Sequence, residues 1–86
     1  MDIEYLHEFV ALSEIGNYQQ TADILFISQT TLSRHMQALE KDLGAELFDR
    51  TSRTNSLTEY GKCFLVHAHA LIGFYNAAKR DLDIHM

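Results

Sequence analysis

Residues 28–44 read SQTTLSRHMQALEKDLG. Leu32, Met36, Leu39 and Leu43 recur at spacings of 4, 3 and 4, which places them on one side of an α-helix and makes an apolar stripe. The other side takes Thr30, Ser33, Arg34, Gln37 and Lys41. Ser28 is a good N-cap, because its hydroxyl can accept a backbone N–H of the first turn, and Gln29 follows it. Gly44 stands where a left-handed residue would end the helix. Short hydrogen-bonding side chains and one guanidinium on the exposed end suit a surface that faces DNA. The chain as a whole is acidic, however, with twelve Asp and Glu against seven Lys and Arg and a formal net charge of −5.

Eighty-six residues allow one small domain with a single core, and 47% hydrophobic residues are enough to fill it. The absence of Pro and the presence of only four Gly favour long helices over a turn-rich β fold. Cys63 is the only cysteine, so no internal disulfide is available and a reducing compartment suits the chain. The N-terminal MDIEYLHEFV is acidic and helix-patterned, unlike a secretory leader. No apolar run approaches the roughly 20 residues needed to span a bilayer. The expectation is a soluble, cytoplasmic protein without a membrane partner.

The flanking elements follow from the same reasoning. Ile3, Leu6, Phe9 and Val10, then Leu12 or Ser13, keep helical spacing up to Gly16, giving a first helix. Asn17 with Gln20 three residues on is a capping-box pattern, opening a helix of about two turns that carries Thr21, Ala22 and Leu25. Only Phe26 and Ile27 separate it from the Ser28 cap, a join so tight that the two helices must cross steeply, as in a helix-turn-helix. Ala22 is small enough to let them approach. After Gly44 the pattern becomes extended over Glu46–Arg50, passes through the polar TSRTNS of residues 51–56, and reaches Leu57, which predicts a short β-hairpin or wing. Thr58 reads as the N-cap of a last helix running to about Asp81, with Phe64, Ala68, Leu71, Tyr75, Ala78 and Leu82 spaced 4, 3, 4, 3, 4 and Leu65 and Ile72 on an adjacent face. The predicted fold is therefore mainly α: a winged helix-turn-helix of three helices and a short hairpin over 1–58, and a long linker helix over 59–86.

Taken in order, these elements resemble the N-terminal DNA-binding domain and linker helix of the LysR-type transcriptional regulators. The likeness covers nearly all of the chain. Its strongest part is SQTTLSRHMQALEKDLGAELFDR, where Ser-Gln, Leu-Ser-Arg, Leu-Glu, Leu-Gly, Leu-Phe and Arg recur in the family's register, and LTEYG at 57–61 matches the start of its linker helix. Thr30 departs from the family, which often has Pro there. The resemblance implies a sequence-specific regulator whose third helix enters the major groove, with base or phosphate contacts from Gln29, Thr30, Thr31, Ser33 and Arg34 and a further candidate in Gln37. It also implies a homodimer, leaves room for a tetramer of the full-length protein, and implies an effector-binding domain outside this chain. Chemistry agrees independently, since Gln can pair with adenine, Arg with guanine, and a Thr methyl can touch a thymine methyl. Arg50 and Arg53 flank the start of the wing and could reach phosphates or a narrow minor groove, with Arg53 the better candidate because Asp49 beside Arg50 offers it an ion pair.

Other chemistries find less support. Cys63 and His67 share a helix face at i, i+4, but two ligands do not make a tetrahedral metal site, and His69 points elsewhere. No nucleophile has a partnered base, and no Gly-rich phosphate loop is present, so neither an enzyme nor a cofactor is expected. A helical protein-interaction module is the alternative, slightly favoured by the acidity. The charge itself resolves by position: residues 28–62 hold five basic and five acidic residues, while the excess acid lies in the first two helices and the tail. Such a segment would rely on hydrogen bonds and helix-terminus dipoles more than on bulk charge.

The last helix raises one further expectation. At about 1.5 Å per residue it spans roughly 35 Å and outruns the body it packs on. If Phe64, Leu71, Tyr75 and Leu82 docked on the body, Leu65 and Ile72 would face water. Pairing with a second copy through Leu65, Ala68, Leu71, Ile72, Tyr75 and Ala78 would hide what remains and hold two reading helices apart for two half-sites.

Overall fold

The computed structural model describes residues 1–52 and 55–85, and in it local chemistry starts and stops each helix. Helix α1 (Ile3–Ile15) is capped by Asp2, whose carboxylate accepts from Glu4 N at 2.9 Å, and it ends at Gly16 in the left-handed region with φ 78°. Helix α2 (Tyr18–Leu25) opens on Asn17, whose Oδ1 accepts from Gln20 N at 2.9 Å. Helix α3 (Gln29–Leu43) opens on Ser28, which accepts from Thr31 N at 3.0 Å, and ends at Gly44 with φ 71°. Helix α4 (Glu59–His85) opens on Thr58, whose Oγ1 accepts from Gly61 N at 3.0 Å.

The turn between α2 and α3 uses a left-handed Phe26, φ 58°, although no glycine is available there. Its N–H reaches Asp23 O at 3.3 Å, and Ile27 N reaches Ala22 O at 3.0 Å, a Schellman pattern that satisfies the last carbonyls of α2. Those bonds offset a left-handed cost of roughly 1 kcal/mol and turn the chain sharply into α3.

Four helices close on one core of Leu6, Phe9, Leu12, Ala22, Leu32, Met36, Leu39, Leu47, Phe48 and Ala68. Phe9 is its centre, with Phe48 edge-on at 5.5 Å between ring centroids and Phe64 tilted at 5.4 Å. Helix α1 touches each of the other three helices. The apolar stripe read from α3 is the one that is buried, Leu32, Met36 and Leu39 being wholly enclosed.

Two expectations change. Among the described residues the wing is held by one antiparallel bridge between Phe48 and Leu57, flanked by Asp49 N to Ser56 O at 2.7 Å and Thr58 N to Leu47 O at 3.0 Å. Toward α4 the ladder stops because its next bond would join Leu47 N to Thr58 O, and Leu47 N donates to the Glu40 carboxylate while Thr58 O accepts from Lys62 N in the first turn of α4.

The docking face of α4 is also rotated from expectation. Gly61, Phe64, Leu65, Ala68 and Ile72 face the body, while Leu71, Tyr75 and Leu82 are 44%, 40% and 61% exposed. Leu65 and Ile72 therefore pack inward instead of facing water. Ala68, expected at a dimer seam, is fully enclosed by its own chain, because its small side chain lets α4 settle closely on α1.

Candidate nucleic-acid interface

Burial of one side of α3 presents the other side outward. Gln29, Thr30, Ser33, Arg34 and Gln37 line one open depression of about 460 Å³ on that side. A second groove of about 300 Å³ runs between α3, the first turn of α2 and the wing, lined by Tyr18, Gln29, Ser33, Gln37, Arg50 and Asn55. Gln29, Ser33 and Gln37 border both, so they form the ridge between them. Arg34 is exposed and makes no ion pair among the described residues, which leaves its fork of donors for an outside acceptor.

The roll of α3 about its axis decides which side chains face out, and α1 sets it. His35 Nδ1 lies 2.8 Å from Glu8 Oε1, and its ring stacks on Tyr5 at 4.2 Å with an interplanar angle of 18°. Bond and stack together place residue 35 inward, which sends Arg34 and Gln37 outward.

The remaining sequence candidates fall differently. Thr31 is half-buried and its hydroxyl accepts from Ser28 Oγ at 2.8 Å, so it belongs to the helix cap and does not line the depression. Arg50 is held in a two-pronged pair by Glu40, with Nη1 3.1 Å from Oε2 and Nη2 2.6 Å from Oε1, in place of the pair with Asp49 that adjacency suggested. The Glu40 bond holds the guanidinium pKa above its ordinary value. Asp49 instead accepts from Thr51 N at 2.9 Å and from the Thr51 hydroxyl, and these bonds hold its carboxyl below the ordinary aspartate range. Arg53 lies outside the described residues.

Two residues of the site went unread in the sequence. Glu40 sits on the buried side of α3 between Met36 and Leu43, and an acid among such neighbours is itself a sign of a buried partner. Tyr18 packs edge-on against Phe48 at 6.3 Å, and its buried hydroxyl meets no hydrogen-bond partner among the described residues, burial raising its pKa. Elsewhere no three metal-ligating side chains come together among the described residues. No helix among them is long and apolar enough to cross a membrane.

This arrangement matches a known one. The profile of the bacterial regulatory helix-turn-helix proteins of the LysR family matches residues 3–62. The chain belongs to the LysR family. Among LysR-family relatives, the HTH-type transcriptional regulator TfdT of Cupriavidus pinatubonensis is 44% identical over 80 residues, covering 93% of this chain and 35% of that protein. CitR of Bacillus subtilis, also an HTH-type transcriptional regulator, is 37% identical over 82 residues, covering 95% of this chain and 28% of its own length. The chain thus spans about a third of the curated relatives it matches.

Several of the similar solved structures contain DNA. DarR of Vibrio fischeri in complex with DNA superposes with a TM-score of 0.93 at 31% identity, over 96% of this chain and 28% of that one. A CbnR_DBD–DNA complex superposes with a TM-score of 0.88 at 34% identity over the whole of both chains. The architecture, a mainly helical body with a following long helix, is that of LysR-family DNA-binding domains.

Proposed function

We propose that the chain is the DNA-binding part of a longer cytoplasmic transcriptional regulator and binds promoter half-sites sequence-specifically, acting without catalysis. One observation carries this reading: the outward side of α3, whose other side is sealed into the core, gathers Gln29, Thr30, Ser33, Arg34 and Gln37 around a single depression. Amide, hydroxyl and guanidinium groups on one helix end are the donors and acceptors that major-groove base edges match. The likeness to two DNA-bound structures supports the same placement. In this reading α3 enters the major groove, while the loop carrying Arg53 lies toward the minor groove. Two copies pair through the far half of α4, where Leu71, Tyr75 and Ala78 are exposed.

The test is selection of duplexes from a random pool by the 86-residue chain, followed by titration of Arg34→Ala. The expected result is a recovered consensus and a loss of about 1–3 kcal/mol in discrimination with the fold intact. Equal loss on selected and scrambled duplexes would make Arg34 a phosphate contact. Recovery of no consensus would remove the reading.

A further inference from the structure

Glu40 is a buried acid behind a surface read as DNA-facing, and Coulomb's law alone makes it a liability there. Yet its residue is only 8% exposed and its carboxylate is fully used. Oε2 accepts from Leu47 N at 2.7 Å, from Phe48 N at 3.3 Å and from Arg50 Nη1 at 3.1 Å, and Oε1 takes Arg50 Nη2 at 2.6 Å. Every one of these donors belongs to the chain that enters the wing, whereas Glu40 itself is one turn along α3 from Gln37. Arg50 in turn lines the groove with Gln29, Ser33 and Gln37. Among the described residues, Glu40 is thus the one α3 side chain hydrogen-bonded to the base of the wing, beside the apolar packing of Leu47 and Phe48 in the core.

Resting on the DNA-binding reading, we propose that Glu40 is a positioning residue for recognition, fastening the wing to α3 through Arg50 so that both meet one duplex in a single register. Glu40 touches no DNA in this arrangement. Arg50, neutralised by Glu40, acts as a strut rather than as a phosphate contact. The two explanations of Glu40 differ in sign. A carboxylate that only adds negative charge weakens binding, so removing its charge tightens every complex; a carboxylate that positions the wing gives the opposite result on the correct sequence.

The experiment uses the 86-residue chain and the duplex it selects. Glu40→Gln keeps an oxygen for the N–H groups of Leu47 and Phe48 but turns an amide N–H2 toward Arg50. Its affinity for the selected duplex is expected to fall about tenfold, while affinity for a scrambled duplex stays level or rises. Hydroxyl-radical protection under α3 should persist and protection beside the wing should fade. Arg50→Met should lose the same wing protection, and Arg50→Lys should restore part of it. Glu40→Gln with undiminished affinity for the selected duplex and an unchanged footprint overturns the proposal, as does Arg50→Met with full wing protection. Should Glu40→Gln fail to fold, Arg50→Met decides alone, since the Arg50 side chain is already 36% exposed and its loss leaves the Glu40 bonds to Leu47 and Phe48 in place. A wild-type chain that selects no duplex removes the DNA-binding reading itself, and this inference with it.

Discussion

Gly61 and Gly73 lie on the same helix and meet opposite surroundings. A Cβ on Gly61 would run into the Leu47 carbonyl oxygen and lie 2.9 Å from Leu57 Cδ2, whereas one on Gly73 would meet nothing within 4 Å. The contrast extends along α4. Its near half places Phe64 against Phe9 and encloses Ala68 completely; its far half leaves Phe74, Leu82 and Ile84 at 75%, 61% and 77% exposed. The near half is part of the core, and only glycine lets its backbone sit so close to the chain entering the wing. The far half keeps an apolar surface exposed among the described residues, as expected of a helix that serves a partner.

Four substitutions would break or sharpen this contrast. Ala68→Asp should be the most damaging, since an unpaired carboxylate in a wholly enclosed site costs about 4 kcal/mol or more; thermal unfolding should show the loss of cooperative folding at ambient temperature. Leu71→Asp should act on association instead. In sedimentation at micromolar concentration the wild type should be a dimer and the variant a folded monomer, a weakening of about a hundredfold or more, with much weaker DNA binding. A monomeric wild type would make the far half an intramolecular strut. Gly61→Ala should cost about 1–3 kcal/mol by forcing α4 away from Leu47, read as a lower denaturation midpoint at unchanged slope. Smallest and opposite in sign, Gly73→Ala placed on the Leu71→Asp monomer should raise stability by about 0.5–1 kcal/mol, because alanine costs a helix less backbone entropy than glycine. A loss at that position would reveal a neighbour where none stands within the chain.

The candidate site was legible in proportion to how local its causes are. Gln29, Thr30, Ser33, Arg34 and Gln37 line one depression because the 3.6-residue period that buries Leu32, Met36 and Leu39 necessarily turns them outward. Thr31 lies near the same face by spacing but is drawn into the Ser28 cap, a local bond that competes with exposure. Arg50 could not be placed from its neighbours in sequence. Asp49 is adjacent, yet its carboxylate is taken by Thr51, and the partner that meets both prongs of the guanidinium is Glu40, ten residues back on α3.

The sequence by itself determined where each helix begins, where the first three end, the tight join of α2 to α3 and the family, whereas α4 runs on past the expected Asp81 to His85. Asn17, Ser28 and Thr58 cap through bonds to residues three positions away, and Gly16 and Gly44 stop helices through their own backbone freedom. Such interactions need no knowledge of the rest of the molecule. Only the tertiary structure decided which stripe of α4 docks, that the described part of the wing closes on the Phe48–Leu57 bridge and that Arg50 serves Glu40. An α-helix with apolar residues on several sides has no preferred rotation until another surface is pressed against it. Here the close approach of Gly61 to Leu47 and of Phe64 to Phe9 selects one. A carboxylate likewise finds its donors only after the chain has folded back to bring them within 3 Å, which no spacing rule along the sequence encodes.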